Sequence, residues 1–248
     1  EIIYVFLIFL CLMKFALVNG LRHEAEPKLV GQCVGCGSPV LAKCGERRIN
    51  HWAHKARIQC DLWWESETEW HRSWKNQFPT DWQEIVHLAG DGQKHIADVK
   101  TPDDWVIEFQ HSYINPVERR SREDFYKKLI WVVDGNRRSR DKTRFIKVLS
   151  GAGPNNLWPE LRVTFAEGVI FNDWITSKVH VIYDFGDDYL WCLFPQSNEL
   201  WAYLLPISRF DFIQSLNGSS LKSFDLLASK FKIFLAQYKS PRHLVQGL

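Results

Sequence analysis

Between residues 63 and 133, apolar and polar positions alternate with periods that predict their own secondary structure. Trp70, Trp74 and Phe78 recur at i, i+4 and i+8, one stripe of a helix over Trp63–Phe78 that Pro79 ends. A short strand follows over Glu84–Leu88. Asp91-Gly92 marks a hairpin turn, and His95–Val99 returns as the partner strand. After a second turn at Asp103-Asp104, Trp105–Ser112 reads as a third strand. Pro116 suits the first turn of a helix running to Lys128, and Leu129–Val133 is a buried strand closed by Asp134-Gly135. The order is helix, three strands, helix, strand. Its last strand–helix–strand step implies a parallel pair with a right-handed crossover.

The flanks differ in texture. Residues 13–62 are rich in Cys, His and Gly with little apolar periodicity, although the segment from Met13 alternates as a strand and stops at the turn pair Asn19-Gly20. Residues 151–248 open on a Gly-Ala-Gly-Pro-Asn-Asn breaker. They continue with hairpin-like segments over 179–185, 190–194 and 200–205, and a helix over 221–237. Asp187-Asp188 and Gln196-Ser197-Asn198 mark the turns. Nothing in this region has ligand or nucleophile spacing, and its role is left open. Ile2–Leu12 is almost wholly apolar but shorter than the roughly 20 residues a bilayer core requires. It has neither a basic n-region nor a small-residue cleavage site. Residues 1–12 are therefore expected to be a non-native extension upstream of Met13, the one Met of the chain, with a hydrophobic anchor as the rival reading.

Composition narrows the classes. With 46% hydrophobic and 24% charged residues among 248, the chain is neither disordered, collagenous nor a multi-span membrane protein. Twelve Trp point to aromatic cores or stacking platforms without choosing between them. The net charge is only +2, so a nucleic-acid surface has to come from local clustering. Arg137, Arg138, Arg140, Lys142, Arg144 and Lys147, facing Asp141, form one such run. Its place after a core strand suits phosphate contacts, although such runs are more often solvated helix faces.

The cysteines are Cys11, Cys33, Cys36, Cys44, Cys60 and Cys192. Their crowding between positions 33 and 60 argues against a secreted disulfide framework and for a reducing compartment, with a cytoplasmic location expected. Cys33-x-x-Cys36 suits half of a zinc ribbon, with Gly35 and Gly37 supplying the tight turn. The second half comes from Cys44, His51, His54 and Cys60. His54 and Cys60 are favoured, because that set spans the region and leaves Trp52 to pack; His51 is a close rival and Cys44 a weaker one. A structural Zn²⁺ would explain how a segment with so little core folds. Reduced, unliganded cysteines are the plain alternative.

The candidate chemistry lies between residues 67 and 126. On a strand, Glu108, Gln110 and Ser112 share one face. A solvated polar face is the bland reading. The hairpin, however, can bring Asp98 beside Glu108, and two close carboxylates repel unless a divalent cation joins them. Glu67, His71 and Lys75 share one helical face at i, i+4 and i+8, either as a surface ladder or as a third acid with two cationic neighbours. Arg122 and Tyr126 are similarly spaced on the next helix.

Taken in order, these residues resemble a known family. A helix Glu, then Asp, then Glu-x-Gln is similar to the PD-(D/E)XK nuclease core, with Gln110 where Lys is usual. The longer series is Cys33-x-x-Cys36, His51-Trp-Ala-His54, Glu67-Thr-Glu-Trp-His71, Ala97-Asp98-Val99, Glu108-Phe-Gln110-His-Ser112, Arg122-x-x-x-Tyr126 and Trp131-Val-Val-Asp134-Gly135. It resembles the competence protein CoiA-like family, strongly over residues 13–145 and weakly beyond.

The resemblance implies an α/β (α+β) chain in three parts: a zinc-ribbon-like N-terminal module over 13–62, a restriction-endonuclease-like αβββαβ core over 63–150, and a mixed α+β region over 151–248. It implies a metal-dependent nuclease acting on DNA, single-stranded or in recombination intermediates, in competence or recombination, with recombination proteins as further partners and no membrane. Asp98 and Glu108 would hold Mg²⁺, Glu67 would serve as an outer or second-site ligand, and Gln110 would position water. His71, Lys75, Ser112, Arg122 and Tyr126 would contact substrate. Cys33, Cys36, His54 and Cys60 would hold Zn²⁺. Because an amide adds no positive charge, a non-catalytic DNA-binding accessory protein of the same fold is the alternative.

Overall fold

The computed structural model describes residues 12–46, 48–56, 60–61, 63, 67–88, 92–153, 155–195, 197, 200–217 and 224–238. The apolar run before Leu12, with Cys11, lies outside these residues. So do Asp91, Gln196 and Asn198 of the expected turns, and the expected start of the last helix. The fold is mixed α+β, and the chain divides into two compact units, residues 1–129 and 130–248.

The first unit begins with an antiparallel sheet of β1 (Leu12–Met13), β2 (Phe15–Val18), β3 (Leu21–Glu24), β4 (Val30–Cys33), β5 (Pro39–Gly45) and β6 (Arg48–His54), ordered β1-β6-β5-β4-β2-β3. The β2–β3 turn is the predicted one. Asn19 and Gly20 both take left-handed backbone, φ 51° and 81°, which matches the twist of the strands they join. The sheet is more regular than the texture of residues 13–62 suggests. Much of β3, β4 and β5 is solvent-exposed, so alternation carries few apolar markers there. Met13, Ala16, Ala25, Cys33, Val40 and Trp52 make a small core, and Trp52 donates its indole N–H to the His23 carbonyl at 2.9 Å.

Helix α1 (Glu69–Lys75) is shorter than the predicted 63–78. Thr68 caps it: its hydroxyl accepts from the His71 backbone N–H, and the His71 ring accepts from the Thr68 N–H. This reciprocal cap defines the first turn, so Glu67 precedes the helix. Asn76 ends it before Pro79. Trp74 and Phe78 are buried as predicted and pack on Phe109, with ring centroids 5.7 and 6.5 Å apart. After a 3₁₀ turn at Thr80–Trp82 come β7 (Gln83–Leu88), β8 (Lys94–Lys100) and β9 (Val106–Gln110), each antiparallel to the next. Strand β9 is buried on both faces, so Glu108 and Gln110 do not form a solvated polar face. Helix α2 (Pro116–Phe125) starts at Pro116 with Asn115 as its cap.

The second unit contains β10 (Leu129–Asp134, whose first residue closes the first unit), α3 (Asp141–Ser150), β11 (Arg162–Phe165), α4 (Val169–Trp174), β12 (His180–Asp184), β13 (Tyr189–Leu193), β14 (Trp201–Ser208), α5 (Arg209–Leu216) and α6 (Phe224–Gln237). Its strands run in the order β11-β14-β13-β12-β10, with β10–β12 parallel and the others antiparallel. Trp131, Trp174, Phe145, Phe171, Tyr183 and Phe194 fill its core. Among the described residues no helix is long and apolar enough to cross a membrane.

Candidate functional site

Strands β8 and β9 and helices α1 and α2 contribute to a cavity of about 60 Å³, half of whose lining residues are charged. The pairing of Val99 with Ile107 carries Asp98 toward Glu108 on the next strand. Asp98 Oδ2 accepts the Phe109 N–H at 3.0 Å, and both acids line the cavity. Glu67 enters from the segment before α1 and Glu84 from β7.

One lysine organises three of these acids. Lys75, on the last turn of α1, is buried; its Nζ lies 2.5 Å from Glu67 Oε1, 2.9 Å from Glu84 Oε1 and 3.9 Å from Asp98 Oδ1. Burial alone would lower the ammonium pKa, but Glu84, Glu67 and Asp98 together raise it above the ordinary value. Glu67 is doubly held, because Arg72 Nη2 lies 2.5 Å from its other oxygen. Burial pushes the Glu67 carboxyl up; Lys75 and Arg72 outweigh it and bring the pKa down to about 2.

Glu108 is in the opposite condition. Burial and then the nearby Asp98 push its pKa up to about 8, with Arg122 opposing. Arg122 Nη1 lies 3.2 Å from Glu108 Oε2, while Glu108 Oε1 has no hydrogen-bond partner among the described residues. A carboxylate with a spare oxygen beside a second carboxylate fits a hard divalent cation. Glu67, with both oxygens on cations, is less available.

The other predicted site residues are placed as follows. The Thr68 N–H donates to His71 Nδ1, so the ring proton sits on Nε2 and is donated to the Phe109 carbonyl at 2.7 Å. His71 thus braces α1 against β9. Arg122 is buried; besides Glu108 it meets Glu118 at 2.5 Å and donates to the Trp63 carbonyl. Tyr126, at the end of α2, is buried against the cavity. Gln110 is not among the cavity-lining residues; its amide donates to the Ser112 carbonyl at 3.2 Å.

A second constellation lies in the N-terminal sheet. Cys33 ends β4, Cys36 lies in the turn after it, His54 ends β6 and Cys60 follows. Their ligand atoms all lie within 4.8 Å of one another. Cys33 Sγ is 3.7 Å from Cys60 Sγ, and Cys36 Sγ is 3.2 Å from His54 Nε2. A tetrahedral zinc with Zn–S bonds of about 2.3 Å sets its sulfurs about 3.8 Å apart, so the donor set fits. The Cys60 sulfur and burial push the Cys33 thiol pKa up, a cost that a bound cation removes. His51 and Cys44 stand apart: His51 Nδ1 meets the Ile49 carbonyl and Cys44 Sγ the Ala25 carbonyl.

Residues 31–62 match the family model described as Competence protein CoiA, N-terminal domain. The match supports a relation to the CoiA family. The CoiA-matching stretch contains all four cysteine and histidine residues of the cluster, whereas the acids at 67, 84, 98 and 108 lie beyond it. No curated protein and no solved structure matches the chain.

Two cavity-lining acids, Asp61 and Glu84, were missed in the sequence. Asp61 immediately follows Cys60 within the CoiA-matching stretch, is buried, and lines the acidic cavity. Its place beside a candidate ligand cysteine was the available signal. Glu84 adopts left-handed backbone, φ 48°, inside a strand. No local pattern announces that, since such a conformation is held by tertiary contacts.

Proposed function

We propose that the first unit is a divalent-cation-dependent DNA phosphodiesterase of a CoiA-like, PD-(D/E)XK type serving competence or recombination. The observation that carries this reading is the pair of half-buried Asp98 and buried Glu108, which line one cavity with a lysine, Glu108 having one oxygen without a hydrogen-bond partner among the described residues. Asp98 and Glu108 would hold Mg²⁺. When bound, that ion supplies a polarised phosphate and a water of lowered pKa.

The chain's own residues do the rest. Arg122 orients Glu108 through Oε2 and leaves Oε1 to the cavity. Gln110 is neutral and engaged with Ser112, and the lysine of the cavity is Lys75, which Glu67 and Glu84 hold in place; the positive charge next to the reacting phosphate would be its ammonium. The reaction is hydrolysis: water oxygen bonds to phosphorus, one P–O ester bond breaks, and the leaving oxygen takes a proton.

Part of the basic run that leads into α3 is already spent. Arg137 and Arg138 meet Asp173 at 3.1 and 2.6 Å, and Lys142 meets Asp187 at 2.8 Å. Arg140, Arg144 and Lys147 are exposed and share one helical face. They are the candidates for phosphate contacts.

The test is Mg²⁺-dependent cleavage of single- and double-stranded DNA by the parent, Asp98→Ala and Glu108→Ala. Cleavage by the parent that is lost in both variants supports the reading. Equal cleavage by all three refutes the site. Binding without cleavage by any of them establishes the accessory alternative, to which the engagement of Gln110 with Ser112 would then belong.

A further inference from the structure

The cysteine–histidine cluster and the acidic cavity are joined by an unbroken series of contacts through one short segment. Asp61 follows the ligand Cys60 directly. Its Oδ1 accepts the Trp63 N–H at 2.9 Å and lies 2.9 Å from His95 Nδ1, and its Oδ2 accepts the Ile96 N–H at 2.8 Å. The side chain thereby staples the segment after Cys60 onto β8, two residues before Asp98.

The other half of the cluster grips the same stretch. The Gly35 carbonyl, between Cys33 and Cys36, accepts from Lys94 Nζ. The Gly35 Cα is so close to β8 that an added Cβ would lie 3.0 Å from Ile96 Cδ1. Both ends of the ligand set therefore bear on Lys94–Ile96.

Trp63 carries the series onward. Its ring stacks on His95, centroids 3.2 Å apart and planes 8° from parallel. Its carbonyl accepts from Arg122 Nη2, and the Arg122 guanidinium lies 5.6 Å from its ring centre. Arg122 in turn holds Glu108 at 3.2 Å. Both members of the acidic pair thus lean on Asp61 and Trp63, Asp98 through β8 and Glu108 through Arg122. The described residues between His54 and Glu67 form no helix or strand. A metal at Cys60 would fix the chain immediately before Asp61 and Trp63.

We infer that the cluster is a positioning device for the cavity, with Asp61 as the positioning residue: metal held at Cys33, Cys36, His54 and Cys60 sets the divalent-cation affinity of Asp98 and Glu108. This rests on the cation-binding half of the proposed function, but not on its cleavage half.

The test measures Mn²⁺ binding to the full chain by water-proton relaxation, with zinc content determined in parallel. Asp61→Ala is expected to keep its zinc yet bind Mn²⁺ about 10-fold more weakly or worse, and Cys36→Ser to lose both. Unchanged Mn²⁺ affinity in Asp61→Ala overturns the inference, as does a parent whose Mn²⁺ binding survives Glu108→Gln. Mn²⁺ binding that follows the expected pattern in a parent that cleaves no DNA sustains the inference while the nuclease reading fails.

Amide hydrogen exchange covers the case in which a variant loosens the fold. Cys36→Ser should speed exchange at Ile96 and in α2 while leaving β12 and β13 protected. Loss of protection throughout both units, or no change at Ile96, overturns the inference.

Discussion

Lys75 Nζ and Glu84 Oε1 meet at 2.9 Å in the interior of the first unit, and the same carboxylate accepts the backbone N–H groups of Lys14 and Phe15 at 2.8 and 3.0 Å. Glu84 thus ties three elements together: the start of the N-terminal sheet, helix α1 and strand β7. It explains why a glutamate tolerates φ 48° there, since three hydrogen bonds over-determine its position.

Removing the cation from this group should be costly. Lys75→Met leaves Glu67 and Glu84 buried with less compensation, and a destabilisation of about 3–5 kcal/mol is expected. Urea unfolding of the parent and the variant measures it. A difference under about 1 kcal/mol would mean that the lysine is no more than a surface-type partner.

Glu108 predicts a pH dependence of opposite sign to the usual carboxylate. Its pKa of about 8 lies above the ordinary 4.5, so between these values the folded chain binds more protons than the unfolded one. The contribution to stability is complete below pH 4.5 and is lost as pH rises through about 8, at up to about 1.4 kcal/mol per pH unit. Glu108→Gln stays neutral and removes this decline. In magnesium-free buffer at pH 8.5 the variant should melt at a higher temperature than the parent, and the gap should close toward pH 5. A gap that widens on acidification would show that Glu108 is held ionised.

The metal cluster predicts a division among the histidines and cysteines. Metal analysis of the purified protein should find about one zinc per chain in the parent, in His51→Ala and in Cys44→Ala, and none in Cys36→Ser or His54→Ala. Zinc retained in His54→Ala and lost in His51→Ala would reassign the ligand.

Much of the first unit was legible because short-range physics writes it into neighbouring residues. The β7–β8–β9 order, the Asn19-Gly20 turn, the Pro116 helix start and the Trp74–Phe78 stripe each depend on periodicity or on a backbone preference within a few positions. The Cys33-x-x-Cys36 half-site is equally local. Helix α1 departs from its predicted span because a reciprocal Thr68–His71 cap outweighed the longer aromatic stripe. In the second unit β11, α4 and α5 went unanticipated. They are short elements, four to eight residues, whose burial is set by partners distant in the chain.

The sequence by itself determined which residue types were available: a cysteine–histidine set, acids at 67, 98 and 108 on elements that can approach one another, and a basic run after residue 136. Only the tertiary structure decided their partners. It gave Glu67 to Lys75 and Arg72, left a Glu108 oxygen open, turned Gln110 to Ser112, and brought Asp61 and Glu84 to the same cavity. The reason is that an ionised group in a low-dielectric interior takes its properties from whatever lies within a few ångströms. Those neighbours come from elements far apart in the chain.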